Sequence, residues 1–274
     1  MPHTRIAQII CSLIILACVG RYLYVLALLP WRPVFGAAAA GFTLAATAIA
    51  WLLLRRHPGR PAVAWWLSAA ALAGVGLCGV IPSVNTAYLN AAADLPDAVT
   101  YLFSSFPEET AKLLAALIVI VVFAPVRTPV EAAVVGMAVG AGYTIAETVN
   151  NSAIAAVRDL QSDYYDGVAS MIAMVVLGPF AHAVYTGLAA WGLGQFLCRT
   201  DQPLGWRFSR ITGWFLLAAA LHGAFNGSRA LPSVAGLVAS IAMTILLWVL
   251  LIWLYRRSRA IGRHSGAVDS HTSR

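Results

Sequence analysis

The sequence predicts an all-α polytopic membrane protein of about eight transmembrane helices with both termini cytoplasmic. Three observations carry that prediction. Of 274 residues, 60% are hydrophobic and 11% are charged, with a mean hydropathy of +0.78, whereas soluble domains carry roughly 25% charged residues. The apolar residues gather in runs of roughly 17 to 25, the length that crosses a hydrocarbon core of about 30 Å. The basic residues, all arginine except Lys112, fall between the runs on alternate sides. Together these exclude a soluble globule. A nucleic-acid binder is excluded too, because the net charge of +7 is spread between apolar runs and not gathered on one face. Cys11, Cys18, Cys78 and Cys198 lie in apolar segments without CxxC spacing, so neither a disulfide framework nor a zinc knuckle is indicated.

Taken in order, the first run, 6–29, follows Arg5 and reaches Pro30–Trp31–Arg32–Pro33 without a small-residue cleavage site, so it stays as an anchor. Arg21, beside Tyr22 and Tyr24, snorkels to an interface. The runs 34–54 and 62–81 flank a basic loop of Arg55, Arg56 and Arg60 and complete an N-terminal part over 1–97. A core of four spans follows over 98–228, at 98–124, 129–150, 168–198 and 207–228. The second of these carries Gly136, Gly140 and Gly142, which permit close helix approach. A last span, 234–255 within 229–257, leads to a tail over 258–274 whose Ser, Gly and Arg content reads as disordered. Thirteen arginines lie at the N-terminus, in 55–60, at Arg127, in 199–210 and in the tail, while the opposite loops hold only Arg32, Arg158 and Arg229 beside Asp94, Asp97, Asp159, Asp163 and Asp166. The arginine-rich set is therefore cytoplasmic, in a multi-pass protein of the plasma membrane.

Ionisable residues are expensive inside a bilayer and are functional candidates by default. The stretch Phe106–Pro107–Glu108–Glu109–Thr110–Ala111–Lys112 opens one span, with Pro107 suited to a first helical turn. Glu108 and Lys112 fall at i and i+4 on one face, while Glu109 points about 100° away and so faces a different partner. Tyr143 and Glu147 lie one turn apart near the outer end of the glycine-rich span, with Asn150 and Asn151 a turn beyond. His182 lies inside a long span, and His222 and Asn226 stand at i and i+4 on another. Glu131 pairs with Arg127 at the cytoplasmic edge. Counted at roughly 1.5 Å per residue from each cytoplasmic end, Glu108, Glu147 and His182 lie about 24 to 27 Å deep and His222 about 18 Å, all in the outer half of the core. Helices of alternating direction thus bring carboxylates, histidines and an amide to one level, which favours a site opening towards the extracytoplasmic face.

The order EExxK (Glu108, Glu109, Lys112), Gly-x-Gly-aromatic-xxx-Glu (Gly140, Gly142, Tyr143, Glu147), an intramembrane histidine (His182) and HxxxN (His222, Asn226) resembles the PrsW family of intramembrane proteases. These share a superfamily with the CAAX prenyl endopeptidases and the bacteriocin-immunity-type membrane proteases. The resemblance covers about 98–228, with one departure: Thr148 stands where the family usually has an asparagine after the glutamate. It implies peptide hydrolysis near the extracytoplasmic face of a transmembrane or membrane-anchored protein substrate, for example site-1 cleavage of an anti-sigma factor. It further implies that Glu108 with Glu147 or His182 activates a water, that His222 and Asn226 donate to the oxyanion, that Lys112 holds the first carboxylate, and that Glu109 is a supporting residue or an alternate base. No HExxH is present, and a metal-free glutamate mechanism is favoured; were zinc bound, its ligands would be His182, His222, Glu108 and Glu147. The alternatives are an ion- or proton-coupled transporter, which tends to show repeated halves with paired broken helices, and a non-catalytic scaffold or immunity protein of the same fold.

Overall fold

A computed structural model describes residues 2–29, 32–158, 163–178, 180–231 and 233–272. Regular structure among them is entirely helical: α1 (Pro2–Ala27), α2 (Pro33–Arg55), α3 (Trp66–Leu77), α4 (Ile81–Ala91), α5 (Asp97–Phe103), α6 (Ser105–Ile118) running into a π-helical turn at Val119–Phe123, α7 (Pro129–Arg158), α8 (Asp163–Leu177), α9 (Ala181–Cys198), α10 (Leu204–Ala230) and α11 (Ser233–Thr272). Among the described residues five stretches are long and apolar enough to cross a membrane: Thr4–Ala27, Pro33–Arg55, Trp66–Ala91, Pro129–Arg158 and Val234–Arg263. The α8–α9 pair, bent by 41°, makes a sixth if it is one broken span. The protein is thus a multi-pass membrane protein. The runs 98–124 and 207–228 are helical as well, as α5 with α6 and as α10, but are not among the stretches that qualify by length and composition.

Burial sorts the helices into an axis and a wall. The α7 span is 89% buried, against 6% for α1 and 11% for α11. Large apolar side chains such as Leu13, Val234 and Leu237 point out of α1 and α11, as they do when the solvent is lipid. The axis can be central because its packing faces are small. A Cβ at Gly140 would collide with the His182 carbonyl, and one at Gly74 with the Val139 carbonyl, so backbone contact seats α9 and α3 on either side of α7. Val134, Val135, Val139, Tyr185 and Leu188 close the core between them.

Several boundaries differ from the sequence reading. The run read as one span over 168–198 is two helices, separated at Phe180, whose φ of 46° and ψ of 37° are left-handed. A left-handed residue cannot continue a right-handed helix, so α9 restarts there and places His182 in its first turn; Pro179, read as part of the span, lies outside the described residues. The third membrane segment does not end at 81 but runs to Ala91, which carries Asn85 to the cluster described below. Arg21, read as snorkelling to an interface, is exposed and donates to Ser83 Oγ at 2.8 Å, which is compatible with that reading. The tail read as disordered continues α11 to Thr272: a helix already anchored in a span propagates at little cost, and Gly262 packs against the backbone of Gly59.

Candidate active site

The glutamate–lysine stretch lies in the first two turns of α6. Lys112 Nζ stands 3.2 Å from Glu108 Oε2, the i,i+4 pair that the spacing predicts. Glu109 shares that ammonium, its Oε1 accepting from it at 2.8 Å, and has in addition the separate partner that its position predicts, His222. Positions three and four apart are both neighbours on a helix, and a flexible lysine stem spans them. Glu109 and Lys112 are wholly buried, with 0% exposure. Such an ion group is held by further donors and acceptors, which four other helices, α4, α7, α9 and α10, supply, although Glu109 Oε2 is left without a partner among the described residues.

From α9, His182 Nδ1 lies 2.7 Å from Lys112 Nζ and Nε2 lies 2.7 Å from Glu147 Oε2 on α7. A carboxylate can only accept and an ammonium can only donate, so the proton sits on Nε2 and Nδ1 is bare. From α10, His222 Nδ1 lies 2.9 Å from Glu109 Oε1, so that proton is on Nδ1 and Nε2 is bare. His222 Nε2 turns to Glu108 Oε2 at 3.9 Å and to Asn226 Nδ2 at 3.2 Å. The rings pack on one another: Tyr185 stacks on His222 with centroids 4.9 Å apart, and Tyr143 meets His182 edge-on at 4.7 Å. Tyr143 also donates to Glu108 Oε2 at 3.4 Å and lies under Lys112 Nζ, 4.3 Å from its ring centre.

All eight residues that the sequence singled out meet here, from α6, α7, α9 and α10. His222, which a straight-helix count set shallower than the rest, reaches their level, because such a count cannot see how helices are offset. Three others stay apart. Glu131 Oε2 accepts from the Arg127 backbone N–H at 2.6 Å and its own N–H donates to Thr128 Oγ1 at 3.2 Å, so it caps α7 and meets Arg127 through the main chain. Asn150 and Asn151 bond to each other at 3.4 Å.

Asn85 on α4 was missed. Its Nδ2 donates to Glu108 Oε1 at 2.7 Å, the shortest contact that carboxylate makes. It falls in a polar stretch that hydropathy assigns to a connection, and nothing local marks it. Tyr185 was missed as well, although its position one turn after His182 is a usable signal.

The donor set fits a metal ion. Glu108, His182 and His222 offer buried ligand atoms that all lie within 4.8 Å of one another. Each histidine presents a bare nitrogen and gives its N–H to a carboxylate, Glu147 for His182 and Glu109 for His222, the outer support that metal-binding histidines typically have. Glu147 therefore backs a candidate ligand and is not among the three. Lys112 is the one ammonium facing Glu108, Glu109 and Glu147, so the cluster retains negative charge that a divalent cation would balance.

The family model described as "PrsW family intramembrane metalloprotease" matches residues 29–254. The match extends well beyond 98–228, taking in α2 and α3 and most of α11. Comparison with curated proteins gave no match, and neither did comparison with solved structures.

Proposed function

This chain belongs to the PrsW family of intramembrane metalloproteases, and from that premise we propose that it hydrolyses a peptide bond of a membrane-anchored protein substrate at the Glu108–His182–His222 cluster. The observation that carries the reading is the arrangement of the two imidazoles, each backed by a carboxylate and each bringing a ligand atom within 4.8 Å of the other and of a Glu108 oxygen. Ordinary packing histidines have no need of that arrangement. The same observation moves the mechanism away from a metal-free route. Glu108, His182 and His222 would hold a divalent ion such as zinc, which when bound supplies Lewis-acid polarisation to a water or a scissile carbonyl.

The chain's own residues divide the remaining work. Glu108, held at Oε1 by Asn85, turns Oε2 inward, where it would hold the ion, and the base that takes a proton from water is then Glu109, whose Oε2 has no hydrogen-bond partner among the described residues. Lys112 balances Glu108 and Glu109, and Glu109 fixes the His222 tautomer. Because that tautomer leaves His222 with no free N–H, Asn226 alone keeps the role of oxyanion donor that the family resemblance gave to both. The α5–α6 and α10 helices complete an eight-span arrangement with both termini in the cytoplasm. The cluster then lies in the outer half of the bilayer, and cleavage is of the site-1 type, with an anti-sigma factor as one such substrate.

The test is metal analysis and single-site variants of purified protein in detergent. Glu108→Gln, His182→Ala and His222→Ala are each expected to lose proteolysis of a single-span reporter while the protein stays folded, and wild type is expected to hold about one divalent ion per chain that 1,10-phenanthroline removes together with activity. Full activity in a metal-free preparation would return the mechanism to the glutamate-only route. Retained cleavage in all three variants would end the assignment of the site.

A further inference from the structure

A cavity of about 540 Å³ opens beside the cluster, walled partly by Glu108 and Asn226 and otherwise by residues outside the family motifs. Its walls come from α4 through Asn85 and Leu89, from α5 through Asp97 and Tyr101, and from α6 and α10 through Glu108 and Asn226. The volume falls in the range of roughly 300 to 1,000 Å³ typical of ligand sites. The reacting side of the cluster is therefore reached past α4 and α5, the short helices that end the third membrane segment and open the run 98–124.

The charges lining this cavity are two carboxylates, Glu108 and Asp97, with no basic residue among the lining residues. Glu108 is already held by Lys112 and Asn85. Asp97 is exposed, at the first residue of α5, and has no ion-pair partner among the described residues. Seven helical positions separate it from Ser104, the residue that lies 3.5 Å from the Asn226 amide and lines the same cavity. At roughly 1.5 Å per residue positions 97 and 104 stand about 10 Å apart along the helix, a length that an extended polypeptide covers in about three residues at roughly 3.3 Å each.

We propose that this cavity is the substrate cleft and that Asp97 is its specificity residue, selecting an extended segment with a lysine or arginine about three residues from the cleaved bond. The inference rests on the protease reading above and adds to it a substrate class. Leu89 and Tyr101 supply an apolar wall for the intervening side chains, and Asn226 lies at the inner end, where the cleaved carbonyl is placed. A cation placed near the rim meets the one carboxylate of the cleft without a counter-charge, Asp97, and an acidic segment is repelled there.

The experiment is a comparison of membrane-protein cleavage sites, mapped by sequencing new termini, in native host cells carrying the full-length wild type, Glu108→Gln, Asp97→Asn or Asp97→Lys. Cuts lost in Glu108→Gln define the substrates. Those cuts are expected to carry Lys or Arg about three residues away, to fall about tenfold in Asp97→Asn, and to give way to sites with an acidic residue there in Asp97→Lys. If cuts are lost in Glu108→Gln but show no basic preference, or are untouched by either Asp97 variant, the cleft assignment is overturned and the protease reading stands. If both Asp97 variants lose all cuts alike, whatever their flanking charge, Asp97 is not a specificity residue. If no cut depends on Glu108, the protease reading fails and the cleft falls with it.

Discussion

Glu108 is held from both sides: Asn85 fixes one oxygen at 2.7 Å, while Lys112 and Tyr143 reach the other at 3.2 and 3.4 Å. Asn85→Leu removes the short bond without removing any residue of the cluster, so kcat is expected to fall about 10- to 100-fold, the usual cost of losing an outer support, with KM little changed in steady-state assays of reporter cleavage. A KM effect alone would make Asn85 only part of the cleft wall. Lys112→Met should act chiefly on stability. It leaves Glu108 and Glu109 buried without their counter-charge, and breaking a buried pair from one side costs about 3 to 5 kcal/mol. A thermal melt in detergent should show a large drop in Tm, and excess divalent metal should restore part of it, because a bound cation replaces the missing charge.

At the scale of helices, the site depends on how closely α7 and α9 approach. Any side chain at Gly140 meets the carbonyl of His182 itself, so Gly140→Val should push α9 away and misplace the imidazole. Activity is expected to disappear and Tm to fall by several degrees, whereas Gly41→Val, with nothing near its Cβ position, should change neither. On the opposite side of the bundle, the 55–60 loop is tied to α11 by one histidine. Gly59 N–H donates to His57 Nδ1 at 3.1 Å, leaving Nε2–H to donate to Ser258 Oγ at 3.0 Å. Burial, with a smaller contribution from Arg259, lowers the His57 pKa from 6.5 to about 4. The unfolded loop takes up a proton near 6.5 and the folded loop does not, so this contact is fully stabilising above about pH 6.5 and weakens as pH falls towards 4. Amide exchange over residues 256–262, corrected for intrinsic rates, should rise between pH 7 and pH 5 in wild type. His57→Asn should flatten that dependence.

For the molecule as a whole, the arginine asymmetry and the depth of the cluster predict which side the cleft faces. Glu109 is wholly buried and is a poor probe of this; Asp97, exposed at the cleft rim, is a good one. A single cysteine at position 97 in an otherwise cysteine-free protein should react with a membrane-impermeant thiol reagent added from outside. Labelling only from the cytoplasmic side would invert the topology and remove the site-1 role.

The membrane class, the helical composition and the eight residues of the cluster are legible in the sequence because each rests on a local signal: hydropathy over one span, or a polar residue where lipid makes it costly. Helix periodicity even pairs Glu108 with Lys112 correctly. What periodicity does not carry is the relation between helices. That Glu109 fixes His222, that Glu147 lies behind His182, and that Asn85 reaches Glu108 from a stretch read as a connection all depend on contacts between residues 23 to 113 positions apart. Only the packed bundle decides these, because a side chain's partner across a helix interface is set by the offset and rotation of two axes, and neither is written in the residues of one helix.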